Sequence, residues 1–327
     1  MKNLKIKWMT ISLVALCATS ESLSQDIHFN DVQTTAIWYN QSLKMNKKIE
    51  LRLDYRKVEY ENLMAFHSGA VMINYPLLSK KKREADDNNG YLSATLSAAL
   101  DKSNKGIFKN NMGMFGLSYS QRLTGSKIYA SAGFQGMFAR SVLNFTNVNF
   151  PDQFDPNGPI PGSTTNDPLR AGRTFKWFSL NAGLSLFKNT EEQDWYIGAS
   201  VRHVNSPYMD DERSIEYKLL PTWGGQAGIT FKNNREQIGI YGVINWKAFA
   251  NEYLLGLKYI LPLERLDFNG DFGVGCAYRI KDAIIPNIRL RYGKTIGTFF
   301  YDYNISGIRA SNYTRRGFEL TLSHQLE

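Results

Sequence analysis

Gly317-Phe318-Glu319-Leu320-Thr321-Leu322-Ser323-His324-Gln325-Leu326-Glu327 are the last eleven residues of the sequence, and they alternate. Phe318, Leu320, Leu322 and Leu326 fall on one parity, and Glu319, Thr321, Ser323 and Gln325 on the other. A two-residue period is the mark of a strand with one apolar and one polar face.

The same period recurs upstream. Leu51, Leu53 and Tyr55 oppose Glu50, Arg52, Asp54 and Arg56; Ile288, Leu290 and Tyr292 oppose Arg289 and Arg291; Phe299, Tyr301, Tyr303 and Ile305 oppose Asp302 and Asn304. Ile128, Ala130, Ala132, Phe134 and Phe138 share one face, as do Ile238, Ile240, Ile244 and Trp246. The spacing predicts fourteen strands, near 50–60, 65–76, 91–100, 111–123, 126–139, 174–187, 194–204, 218–232, 237–248, 252–262, 268–280, 284–293, 296–305 and 316–326. Most reach the roughly 9–11 residues that a tilted strand needs to cross a bilayer. Charges of both signs on one strand face, as at residues 50–56, have no place against lipid and suit a polar lumen where each meets a partner. The fold expected is therefore all-β: a transmembrane antiparallel barrel of about fourteen strands with a polar lumen.

Residues 1–25 read as an export signal. Lys2, Lys5 and Lys7 precede an apolar run from Trp8 to Ala18 and then small and polar residues, the order of a secretory leader. The run is shorter than the roughly 20 residues of a spanning helix. Cys17 suggests a lipoprotein anchor, but Leu16 stands where such a motif wants a small residue. Residues 26–48 carry no clear period and are expected as a periplasmic or lumenal lead-in to a barrel over 49–327. The formal charge of +9 falls to +7 once the three lysines and Glu21 of the leader are removed. That charge is spread through alternating strands, apart from a run at Lys80–Arg83, so nucleic acid is not an expected partner and outer-membrane lipid is. Cys276 alone follows the leader, which excludes an intrachain disulfide; its parity with Phe272, Val274 and Tyr278 turns it to lipid.

Bacterial barrels pair short periplasmic turns with longer outside loops. Thr124-Gly125, Asn233 to Glu236 and Gly293 to Thr295 are short and fall on one side; the long connections Arg140 to Arg173 and Ser306 to Arg315 fall on the other. Leu77 to Gly90 is long for a periplasmic turn and is a candidate for meeting a periplasmic partner. Tyr75, Tyr91, Trp177, Trp195, Tyr208, Trp246, Tyr253, Tyr278 and Tyr313 lie near strand ends, where interfacial rings sit. The loop Phe150-Pro-Asp-Gln-Phe154, then Asp155-Pro-Asn-Gly-Pro-Ile-Pro-Gly162, starts like a calcium loop but lacks the later ligands. Proline-stiffened turns explain it as well. The histidines after the leader, His28, His67, His203 and His324, lie in no hydrolase context. The sequence has no Gly-rich phosphate loop and no Cys/His metal cluster, so neither an enzyme nor a cofactor is expected.

Gln25-Asp26-Ile-His28-Phe29, Asp54-Tyr55-Arg56, Phe150-Pro-Asp152-Gln153-Phe154, Arg202-His203-Val-Asn205-Ser-Pro207, Tyr278-Arg279-x-x-Asp282-Ala283-Ile284 and Tyr301-Asp302-Tyr-Asn304-Ile-Ser306 follow one another in order. Together they resemble the PorP/SprF family of outer-membrane proteins of the Bacteroidetes type IX secretion system. Residues 30–48 depart from it by lacking an asparagine-proline-rich stretch. The resemblance implies a non-enzymatic barrel that works with other secretion components and docks or anchors a secreted adhesin through the adhesin's C-terminal domain. Partner binding is expected at Phe150, Asp152, Phe154, Arg202, His203 and Asn205, which fall on the outside face by the strand count; packing of the two phenylalanines back over the barrel mouth is the alternative. A passive porin or fatty-acid-type channel is the rival reading.

Overall fold

The computed structural model describes residues 29–32, 36–45, 47–61, 64–78, 89–103, 106–146, 150–155, 158–160, 162–211, 217–233, 236–247, 250–263, 269–306 and 315–326. The leader, the basic run 80–83, His28 and Tyr313 lie outside these residues.

Fourteen strands carry the fold: β1 (Glu50–Tyr60), β2 (Met64–Pro76), β3 (Gly90–Ser103), β4 (Phe108–Arg122), β5 (Ile128–Leu143), β6 (Arg173–Asn189), β7 (Gln193–Arg202), β8 (Thr222–Lys232), β9 (Gln237–Lys247), β10 (Ala250–Pro262), β11 (Gly270–Arg279), β12 (Ala283–Tyr292), β13 (Thr295–Asn304) and β14 (Arg315–Gln325). Each pairs antiparallel with the next, and β1 pairs with β14 from Glu50 opposite Gln325 to Tyr60 opposite Arg315. The sheet is thereby a closed fourteen-strand barrel without an edge, which lipid demands because it offers no water to an unpaired N–H or C=O. All fourteen strands read from the period are present.

The parity is as the sequence implies. Leu51, Leu53, Phe134, Phe138, Leu320 and Leu322 point out, with both phenylalanines 69% exposed, whereas Arg52 is 1% and Glu319 0% exposed inside. Cys276 faces outward. Tyr91 and Trp177, which the sequence suggests as interfacial rings, are instead buried inside the barrel. The Tyr91 hydroxyl donates to the Lys44 carbonyl at 2.5 Å, and Trp177 joins an apolar cluster around Phe29 and Trp38.

The strand ends flanking 123–127, 190–192, 233–236 and 293–294 lie at one end of the barrel, and those flanking the long connections 144–172, 203–221 and 305–314 at the other. A fourteen-strand barrel is wider than the roughly eight-strand size that wall side chains can fill. Here chain fills it: residues 29–32 and 36–45, including the single helical turn α1 (Ala36–Tyr39), lie inside, with Phe29, Trp38, Tyr39, Asn40, Gln41, Ser42, Leu43 and Lys44 all buried.

Leu320 faces lipid and its neighbour Thr321, 3% exposed, faces the lumen. Leu320→Arg is expected to cost roughly 2–4 kcal/mol near mid-membrane and to lower the yield of folded, heat-modifiable protein on gels. Thr321→Arg should be milder; equal losses would refute this parity.

Candidate functional site: the filled lumen and the outer loops

The inner segment rests on a wall made to receive it. Gly116 (β4), Gly133 (β5), Gly183 (β6) and Gly198 (β7) face residues 40–42, with Gly133 directly opposite Gly183 in the ladder. A Cβ on Gly133 would stand 2.8 Å from the main chain of Gln41 and Ser42, one on Gly198 would stand 2.6 Å from Asn40 Nδ2, and one on Gly183 would overlap Asn40 Oδ1. Glycine inside a strand marks such close approach of another backbone.

Polar ties then fix the segment lengthwise. The Asn40 amide donates to the Leu184 and Ala199 carbonyls, both at 3.3 Å. The Ser200 hydroxyl donates to the Tyr39 carbonyl at 2.6 Å, and that of Ser185 to the Ser42 carbonyl at 3.2 Å. Lower down, Leu43 sits in a collar of inward Tyr91, Tyr129, Phe187 and Tyr196. There Lys47 Nζ lies 5.1 Å over the Tyr129 ring.

The opposite wall holds the segment by charge. The main-chain N–H groups of Asn30 and Asp31 donate to the Glu319 carboxylate at 2.7 and 3.2 Å. Arg52 bridges Asp31 at 3.0 Å and Asp54 at 2.9 Å. Arg279 Nη2 donates to Asn30 Oδ1 at 2.5 Å, while Arg279 also meets Glu252 at 3.1 Å and Asp302 at 3.5 Å. Arg56 pairs with Asp302 at 2.8 Å, and Arg289 and Arg291 share Asp271. The predicted lumen charges are thus brought together as a network, in which removing one partner from a buried pair costs about 3–5 kcal/mol. At the rim, burial works to raise Asp282, but hydrogen bonds from Arg315 and Arg279 outweigh it and hold the carboxyl below its usual range. Between the segment and the β8–β14 side remains a cavity of about 340 Å³, lined among others by Lys44, Asp194, Lys258 and Arg289.

The six residues picked from sequence fall into two local networks. In the long loop, Phe150 is 7% exposed and packs its ring on Phe145 at 6.5 Å, so it is the loop's own core. Asp152 accepts from the Thr165 hydroxyl at 2.6 Å and from the Asn166 N–H at 3.0 Å. Those bonds hold its carboxyl below the usual range. Phe154 begins a two-residue bridge, Phe154–Asp155 against Gly158–Pro159, in place of the calcium loop considered above.

The second network repairs the barrel wall. Past Arg202, the end of β7, the chain leaves the ladder, with positive φ at His203 (57°) and Ser206 (41°), and a short strand Tyr208–Asp211 rejoins β6 higher up. Across the gap, Asn205 Oδ1 accepts from the Leu180 N–H and its Nδ2 donates to the Phe178 carbonyl, each at 2.9 Å. One side-chain amide thus replaces a missing ladder residue. His203, 1% exposed, turns inward, where Nδ1 meets Ser179 Oγ at 2.7 Å, and the main-chain N–H of His203 donates to Asn181 Oδ1 at 3.0 Å. Ser179 is 0% exposed, so this serine–histidine pair is sealed from any substrate and serves the wall.

The family model of the type IX secretion system membrane protein PorP/SprF matches residues 31–324, nearly the whole chain. The chain belongs to the PorP/SprF family. As a PorP/SprF protein with this barrel it is an outer-membrane protein of type IX secretion. Among solved structures, the TodX monoaromatic hydrocarbon channel, as a deltaS2 mutant, is similar at a TM-score of 0.51 and 9% identity over 89% of this chain and 94% of that one. The translocator domain of the autotransporter NalP from Neisseria meningitidis gives 0.43 at 9% identity, covering 98% and 97%. At such identities the TodX likeness shows the barrel fold alone. No curated protein matches the sequence significantly.

Gly183→Val should expel residues 40–42 from their groove, because overpacking costs about 1–3 kcal/mol and the segment is the movable partner. The folded variant is expected to be cut by trypsin after Lys44, which in the parent is buried. Continued protection in a folded variant would show that the glycine wall does not hold the segment.

Proposed function

We propose that this PorP/SprF protein is a non-enzymatic docking or anchoring component: it receives the C-terminal domain of a type IX-secreted adhesin and holds it at the cell surface, where in gliding cells it carries motility force. The long connections 144–172, 203–221 and 305–314 then face outward and the short turns face the periplasm, following the usual asymmetry of bacterial barrels. The observation that carries the reading, beside family membership, is the lumen filled by residues 29–32 and 36–45. A solute channel needs a continuous aqueous path, whereas an anchor gains rigidity from a filled interior. The rival channel reading is weakened by the same filling.

Within this reading the loop around Phe150, Asp152 and Phe154 forms the outer docking platform. Phe150 shapes it from within and the Asp152–Thr165 bond closes it. Arg202, His203 and Asn205 act by positioning the adjoining rim.

Two measurements separate the readings. In planar bilayers the anchor should carry little or no current, while steady porin-like conductance would favour the channel. Phe150→Ala combined with Phe154→Ala should leave the heat-modifiable barrel intact, since neither residue lies in a barrel strand, yet lower the surface-held adhesin. Normal display by the assembled double variant would remove this loop from the docking site.

A further inference from the structure

On the outer face of β1–β4 the ladder sets four basic residues side by side. Lys57 is directly opposite His67, His67 opposite Lys102, and Lys102 opposite Lys109. One pair further along, Arg140 on β5 also points outward, diagonal to Lys109, whose own partner is Val142. Directly opposed residues stand roughly 4.5–5.5 Å apart at Cβ, and like charges in such pairs repel. Part of the row is answered locally: Lys57 bridges Glu59 at 2.9 Å, and His67 bonds the Tyr55 hydroxyl at 2.9 Å. Lys102, Lys109 and Arg140 are exposed and have no hydrogen bond or ion pair among the described residues. Glu59 is the one acid on the outward parity of β1–β5 among those residues.

The height of the row identifies what meets it. Below Lys102 the outward positions of β3 are Leu100, Ala98, Leu96, Ala94 and Leu92; below Arg140 those of β5 are Phe138, Gly136, Phe134 and Ala132. Charge therefore begins where the greasy band ends. Lys102 is twelve positions from Gly90, the first residue of β3, which at about 3.3 Å per residue and a tilt near 40° is roughly 30 Å above the short-turn end. An apolar band is about 25 Å tall, so these side chains stand at headgroup level on the long-loop side.

We infer that Lys102, Lys109 and Arg140 form a binding ridge for the phosphate groups of a phosphorylated glycolipid of the outer leaflet, with Lys57 and His67 at its margin. A phosphate accepts several charge-assisted hydrogen bonds at once and cancels the repulsion that the register builds in. A lipid-anchored phosphate is held at the height where the ridge lies. The ridge thus fixes the barrel to its surrounding lipid on the β2–β5 side, whatever partner the loops take.

The test is native mass spectrometry of the whole folded protein in detergent, titrated with lipid A, with enzymatically dephosphorylated lipid A, with phosphatidylglycerol and with inorganic phosphate. Lipid A should be retained at least tenfold more strongly than any of the other three. Lys102→Gln/Lys109→Gln/Arg140→Gln, shown to be folded by heat-modifiable migration, should lose that preference, and Lys102→Arg/Lys109→Arg/Arg140→Lys should keep it. If the triple neutral variant does not fold, Lys109→Gln alone should weaken lipid A retention severalfold. Equal retention of dephosphorylated lipid A or phosphatidylglycerol, or undiminished binding by the folded neutral variant, overturns the ridge.

Discussion

In hydrocarbon no water is present to satisfy a peptide group, so each N–H and C=O of a spanning strand must find its partner in the sheet. That constraint forces the pairing of β1 with β14, and the other features follow from it. A closed sheet has two faces with opposite demands, which is why the sequence alternates. A closed sheet of fourteen strands also has an interior too wide for its own side chains, and the chain supplies residues 29–32 and 36–45 to fill it.

The filling shows how two kinds of wall can hold one segment. On β4–β7 the grip is shape: four glycines let main chain approach main chain, and Asn40 caps carbonyls of β6 and β7 that the sheet leaves with spare lone pairs. On β14, β1 and β11 the grip is electrostatic, through Glu319, Arg52 and Arg279. Phe29, Val32 and Trp38 share an apolar cluster with inward methionines such as Met72, Met112 and Met137. Flexible thioethers fit an irregular core of this kind.

The wall was legible because lipid enforces parity residue by residue, so Leu320 and Thr321 could each be assigned a face from the last eleven residues alone. Tyr91 and Trp177 were misplaced by reading strand-end aromatics as interfacial instead of by parity: Tyr91 alternates with outward Leu92, and Trp177 with outward Phe178. The inner segment has no period to read, since its contacts come from at least eight strands at irregular spacing. The signal that did exist was the inward parity of Gly133 among Tyr129, Ser131 and Gln135, and of Gly183 among Ser179, Asn181 and Ser185. The string Arg202 to Pro207 stood out in sequence, but its chemistry is mainly that of a repaired ladder. A side-chain amide standing in for main chain is visible only once β6 is known to outrun β7 by several residues.

The two grips differ in how they respond to water. Were the segment to leave, Glu319 and Arg52 would face a hydrated lumen rather than lipid, so water would replace much of what Asn30 and Asp31 supply; the net worth of such exchangeable bonds to charged groups is about 1.5–3 kcal/mol each. The buried rings of Phe29 and Trp38 have no such substitute, and neither has the close main-chain contact at the glycines. The charges therefore set the segment's register along the barrel, while apolar burial and shape supply the part of the grip that water does not replace.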